Sequence, residues 1–189
     1  MVGGDRTRAF AGVAIAAISI LMLAGCAESS GGSGSSITLA QTKSPTQLLR
    51  NETASRVPTA VIAEVASSED TSIRCKTEKA DPKGLMRSWK STVTINVESG
   101  SAWRTKAVVD EMAASLVTDG WEASKGFDSA VQVTLLTSEQ SAVGIELGAN
   151  QPEEGSDKGA TIYVSTTGPC VATAGEDSTE IRDLEGQGD

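Results

Sequence analysis

Apolar residues in this chain follow three patterns, and each predicts a different kind of element. The first is a continuous run over residues 9–24, in which Ser19 is the only polar member. The second is alternation with period two. In Trp89-Lys90-Ser91-Thr92-Val93-Thr94-Ile95-Asn96-Val97, positions 89, 93, 95 and 97 are apolar and the residues between them polar. That spacing, with its β-branched side chains, predicts a half-buried strand. Residues 130–135, 142–147 and 161–165 predict three more strands, with Ser138-Glu139-Gln140 as a hairpin connection between the first two. Residues 73–77 predict a shorter one, followed by a turn at Asp81-Pro82-Lys83-Gly84. The third pattern is helical. Trp103, Ala107, Val108, Met112, Leu116 and Val117 lie near one face over residues 101–118. Ser101 is the expected N-cap of this long helix, and Gly120 the left-handed residue beyond its end.

Other segments are less sharply patterned. A helix is predicted from residue 43, with Ser44 as N-cap, Pro45 at the first helical position and Pro58 ending it. Residues 61–65 fit a strand or a short helix equally well. Residues 67–71 and 148–159 read as loops. The sum is an α+β fold: one long helix packed on a mainly antiparallel sheet of about four to five strands, with the N-terminal helix at an edge. The chain divides into an export signal (1–25), a flexible tether (26–42), a single α+β domain (43–172) and a tail (173–189). The tail's acidity and scarcity of apolar residues predict disorder.

Composition narrows the chemistry. The 189 residues include no histidine and carry a net charge of −9. Without histidine there is no Ser-His-Asp triad and no imidazole metal ligand. The acidic balance disfavours nucleic acid as a partner. No Ser-x-x-Lys, Gly-x-Ser-x-Gly or phosphate-cradling Gly-x-x-x-x-Gly-Lys occurs. The carboxylate pairs Asp110-Glu111, Glu153-Glu154 and Glu176-Asp177 read as solvated charge. The expectation is a non-enzymatic protein with no cofactor and no metal.

The end of the apolar run is more specific. Sixteen residues are short for a membrane span, which takes about 20, but suit a secretory signal that follows Arg6 and Arg8. The run closes on Leu23-Ala24-Gly25-Cys26, and a Ser/Gly stretch follows. This segment resembles the lipobox of bacterial lipoprotein precursors, matching all four positions. The resemblance implies that Cys26 receives a diacylglyceryl group and becomes the first residue of the mature chain. The protein would then sit on the outer face of the cell membrane, held by its lipid. The mature region is similar to small uncharacterised envelope lipoproteins of actinobacteria, which share this order of elements and a late Gly-Pro-Cys, here Gly168-Pro169-Cys170.

With Cys26 set aside, Cys75 and Cys170 remain. An even pair in an exported protein predicts a disulfide, with two free thiols or a partner's cysteine as the alternatives. Residues 74–106 are rich in Lys and Arg, while residues 139–189 are strongly acidic. These two regions either neutralise each other across the fold or leave a basic surface for anionic headgroups or wall polymers. Trp89, Trp103 and Trp121 occupy apolar positions and read as core, or else as the lining of a cleft between helix and sheet. Two functions follow. One is an envelope module binding a protein, glycan or lipid; the other is a carrier or sensor of a small apolar ligand held in a helix–sheet pocket.

Overall fold

The computed structural model describes residues 37–125, 132–153 and 159–186. The predicted export signal, Cys26 and the predicted tether up to residue 36 lie outside these, as do residues 130–131 of one predicted strand and residues 154–158 of a predicted loop. The architecture is α+β, and its antiparallel sheet is larger than expected. Among the described residues there are seven strands, six in the order β1-β2-β6-β5-β4-β3 and the seventh, β7, also paired to β2. They are β1 (Ile62–Arg74), β2 (Met86–Val97), β3 (Glu122–Lys125), β4 (Gln132–Ser138), β5 (Ser141–Asn150), β6 (Thr161–Thr167) and β7 (Val171–Ala172). Three helices accompany them: α1 (Leu39–Ala54), α2 (Thr105–Thr118) and α3 (Thr179–Leu184).

Strand β2 is the axis of the sheet. Its odd positions 87–97 are all buried, and it pairs with β1, β6 and β7. The predicted hairpin forms β4 and β5, with Glu139 and Gln140 as its turn. Strand β5 continues through Gly148, Ala149 and Asn150, residues expected in a loop. Register places Ile95, Ile162 and Ala149 side by side, and likewise Val93, Val164 and Leu147. These residues, with Ile145 and Leu136, form the sheet side of the main core. Val108, Val109, Met112, Ala113 and Leu116 of α2 close over them.

The predicted long helix is divided. A 3₁₀ turn, Ser99–Arg104, precedes α2, and α2 begins at Thr105 with no side-chain cap, so Ser101 does not serve as one. A 3₁₀ turn advances three residues per turn rather than 3.6, so the apolar face shifts in phase. Val109 and Ala113 enter the core, whereas Ala107 is exposed and Trp103 stands 72% exposed. Gly120 follows the helix with φ +92°, as its position required.

Helix α1 starts earlier than predicted. Thr38 and Gln41 make a reciprocal capping box, which places Pro45 inside the helix rather than at its start. The proline removes the bond that its N–H would donate to Gln41. Threonine hydroxyls supply contacts on either side: Thr42 Oγ1 donates to Leu39 O and Thr46 Oγ1 to Thr42 O, both at 2.7 Å. The helix closes at Ala54, four residues ahead of Pro58.

The polar stretch 67–71, expected as a loop, lies inside β1. Pairing with β2 outweighs its weak strand preference. Residues 173–186 of the acidic tail, expected to be disordered, are ordered as well. Ser178 caps α3, and Ile181 is buried against Leu39, Trp89 and Val171 with Leu184 alongside.

Two leucines give a clean contrast. Leu147 has no exposed surface and Leu48 is 66% exposed. In urea titrations, Leu147→Ala is expected to cost about 2–5 kcal/mol, and Leu48→Ala to stay within about 0.5 kcal/mol of the parent.

Candidate functional site

The three tryptophans do not line one cleft. Trp89 has no exposed surface and belongs to a small apolar cluster with Leu39, Val171 and Ile181. Trp121 is partly buried against the main core. Trp103 projects from the 3₁₀ turn, where its Nε1 donates to Gly100 O and Arg104 lies 5.8 Å from its ring centroid. Beneath α2 the packed core is found rather than the alternative of a pocket, with Met112 at 2% exposure. Cys75 and Cys170, by contrast, come together as predicted: they form a disulfide with Cα atoms 6.0 Å apart, across 95 positions of sequence.

The polar chemistry collects elsewhere, along the seam between β1, β2 and the elements packed on them. Helix α1 turns an unusual set of residues toward the sheet: Thr42, Thr46, Arg50 and Thr53 are all buried. Arg50 Nη1 donates to Ser68 Oγ of β1 and to Thr92 O of β2. Among the described residues, Arg50 Nε and Thr53 Oγ1 have no hydrogen-bond partner. Asp70 lies on the same side of β1 and accepts from Trp89 Nε1 at 3.4 Å. Burial pushes its carboxyl upward. The Trp89 hydrogen bond, the nearby polar side chains of Ser91 and Gln47 and the Arg50 charge outweigh burial, so Asp70 sits below the usual carboxylate value.

Further along the seam, three charges form a knot. Arg74 Nε donates to Glu176 Oε2 at 2.7 Å, its Nη2 meets Glu176 Oε1, and Arg87 Nη1 stands 3.4 Å from Oε2. The Arg87 guanidinium is buried and also donates to Ser72 O at 2.7 Å and to Ser72 Oγ. Hydrogen bonding to Arg74 holds the Glu176 carboxyl down. Asp81 accepts from the Leu85 and Met86 N–H groups at 2.9 and 2.8 Å, and those two bonds lower it in the same way. Glu185 Oε1 accepts from Ser72 N, Ser72 Oγ and Thr71 Oγ1. Burial opposes its ionisation, but those bonds prevail and it too is lowered. A shallow groove of about 340 Å³ lies beside the knot, lined by Pro82, Lys83 and residues 174–178.

The knot joins the basic and acidic regions at one point: Arg74 and Arg87 come from the first, Glu176 from the second, and they pair. Asp70, Asp81, Glu176 and Glu185 all lie below the usual carboxylate value, drawn down chiefly by the hydrogen bonds they accept. Among the described residues no group of three or more His, Cys, Asp or Glu is placed to hold a metal ion, and no helix is long and apolar enough to cross a membrane. Sequence reasoning missed Glu176 and Glu185 by assigning the tail to disorder. The available signal was Ser178 followed by Ile181 and Leu184, a cap and an apolar pair at helical spacing.

The opposite face of the sheet carries no helix among the described residues. It presents Lys90, Thr92, Thr94 and Asn96 of β2, Tyr163 and Thr167 of β6, and Glu146 of β5, placed together by register, with Ser165 buried among them. The Tyr163 ring lies across Gly148, where any Cβ would collide with it, and Tyr163 Oη donates to Glu146 Oε1 at 3.0 Å.

No family model, no curated protein and no solved structure matches this chain.

The disulfide ties the end of β1 to the approach to β7. Closing a loop of about 100 residues contributes up to about 4–5 kcal/mol through the unfolded state. Cys75→Ser with Cys170→Ser is therefore expected to lower the urea midpoint by a matching amount, with far-UV circular dichroism at pH 7 unchanged.

Proposed function

We propose that this protein is a lipid-anchored envelope lipoprotein. Its domain stands on the outer face of the cell membrane and works as a non-enzymatic binding module for an envelope protein, glycan or lipid. The observation that carries the binding reading is the contrast between the two faces of the sheet. Beneath α2 the core is filled, with Val108, Val109, Met112 and Leu116 each at most 2% exposed. The other face carries no helix among the described residues and is lined by hydroxyl, amide and charged side chains around Tyr163. A filled core favours recognition by surface over the carrier reading, which requires an apolar cavity. The membrane location rests on Leu23-Ala24-Gly25-Cys26 and the apolar run before it. The Cys75–Cys170 bond supports it, since disulfides persist in oxidising, extracytoplasmic surroundings.

Labelled fatty acid should enter the wild-type protein and be absent from Cys26→Ala, which should also accumulate unprocessed or be released. Equal labelling of the two would remove the anchor from the reading. For the binding face, Thr94→Arg with Thr167→Arg should abolish capture of envelope components by the anchored protein, while Leu48→Arg on α1 should leave capture unchanged. A stoichiometric apolar compound released on denaturing the purified protein would instead favour the carrier.

A further inference from the structure

The last ordered segment of the chain is attached differently from the rest of the domain. Its root is fixed. Cys170 is bonded to Cys75, and Val171 and Ala172 pair with Arg87 and Met86 of β2. Beyond this root, residues 173–186 cross the end of the β1–β2 hairpin and return along α1. They are held there by a small set of contacts. Thr173 N donates to Leu85 O at 2.7 Å and Glu176 N to Lys83 O at 3.2 Å. Glu176 pairs with Arg74 and Arg87, Glu185 accepts from Ser72 and Thr71, and Lys43 Nζ donates to Leu184 O at 2.6 Å. The apolar part is Ile181 and Leu184 on Leu39 and Trp89, a cluster separate from the main core.

We propose that residues 173–186 are an acid-released latch, which covers Trp89 at neutral pH and lifts from its Cys170 root when the carboxylates of Glu176 and Glu185 take up protons. Both carboxylates belong to the latch and their partners belong to the hairpin. Glu176 faces Arg74 from β1 and Arg87 from β2, with Asp177 next to it in sequence, and Lys83 of the connection between the strands meets it through a carbonyl, which does not titrate. Glu185 faces Ser72 and Thr71 of β1 and feels the Arg87 charge. From α1, Lys43 touches the latch through a carbonyl, which does not titrate, and lies 4.7 Å from the Trp89 ring centroid. Asp81 is engaged with its own loop, and Asp70 with Trp89 and Arg50. Glu180, Arg182 and Asp183 of the latch are exposed.

The sign follows from the pairing. A carboxylate held below its usual value of 4.5 contributes its stabilisation in full above that value and loses it as the pH falls through the lowered one. Protonation of Glu176 does more than remove an attraction. It takes from the buried Arg87 its ion-pair partner and leaves Arg74 with the charges of Glu78 and Asp81 alone, which favours departure of the latch. The main core consists of apolar residues without a titratable group, so its packing has no such dependence.

The test uses the intact chain carrying Trp103→Phe and Trp121→Phe, which leaves Trp89 as the sole tryptophan of three. As the pH falls from 7 to below 4, acrylamide quenching of Trp89 should rise and its emission shift red while far-UV circular dichroism still reports the sheet. Glu176→Gln with Glu185→Gln, neutral at every pH, should show the quenched, red-shifted signal already at pH 7. Hydrogen exchange of the unmodified protein, corrected for intrinsic rates, provides a reading independent of the tryptophan substitutions: peptides from 173–186 should lose protection before those of β5 and β6. Three results would overturn the proposal. They are quenching that stays flat through the acid range, a glutamine variant that behaves as the parent at pH 7, and loss of latch and sheet together in one transition.

Discussion

A buried guanidinium has to be met from several sides, and Arg87 imposes that condition on this fold. It lies on β2, the strand that pairs with β1, β6 and β7, with 7% of its surface exposed. Leaving such a charge unpaired is more costly than any single hydrogen bond can offset. Ser72 of β1 supplies a carbonyl and a hydroxyl, and Glu176 supplies the counter-charge from a segment 89 positions further on. The same glutamate binds Arg74, whose remaining Nη1 donates to Asp81 O at 3.0 Å. One buried cation thus requires the edge strand, the β1–β2 connection and the C-terminal segment to be in place together. The disulfide lies at this junction too, so covalent and ionic constraints act on the same end of the sheet.

The domain is held by two different means. Under α2 the layers meet through aliphatic side chains, and removal of apolar surface from water supplies most of the attraction. Under α1 they meet through Thr42, Thr46, Arg50 and Thr53 over Ser68, Asp70 and Ser91. A polar layer of this kind specifies geometry through its partners and gains little from burial. Arg50 Nε and Thr53 Oγ1, unpartnered among the described residues, mark it as the less fully satisfied of the two. Stability is not uniform across such a structure. The α2 side and the β5–β6 centre form the persistent part, and the α1 and α3 side is held by contacts that charge or solvent can change.

That division also explains what the sequence disclosed. Where apolar periodicity organises the chain, pattern and structure agree: β2, the β4–β5 hairpin and β6 all lie where alternation puts them, and Gly120 follows α2 with positive φ. Where polar pairing organises it, they part. Residues 67–71 resemble a loop because Ser68, Asp70 and Ser72 are poor strand formers; their side chains are satisfied by Arg50, Trp89, Arg87 and Glu185 rather than by an apolar layer. The tail resembles a disordered one for the same reason, since Glu176 and Glu185 pass for solvated charge until Arg74, Arg87 and Ser72 are known to face them. The error at Trp103 is of another kind. A 3₁₀ turn ahead of α2 changes the phase of the apolar face, and helical spacing alone gives no warning of that. Among the candidate site residues, Cys75 and Cys170 were readable because a cysteine pair leaves few alternatives. The joint tryptophan cleft was not, because apolar position alone does not say which of several small cores a ring will join.

The free edge of β1 shows how these features act together. An unpaired edge strand offers its outward N–H and C=O groups to any neighbouring chain. A protein concentrated on a membrane surface by a lipid would meet copies of itself often. Here β1 is long, but its register with β2 is broken twice, between Ile62 and Glu64 and between Val65 and Ser67. Such bulges twist an edge away from flat pairing. At the other end the Ser72 N–H donates to Glu185, so the α3 segment occupies the position that a foreign strand would take. The opposite edge, β3, is only 4 residues long. The segment that completes the Arg87 knot therefore also closes the edge at Ser72. A single stretch of acidic residues at the end of the chain serves both purposes, because both require a carboxylate beside the same turn of β1.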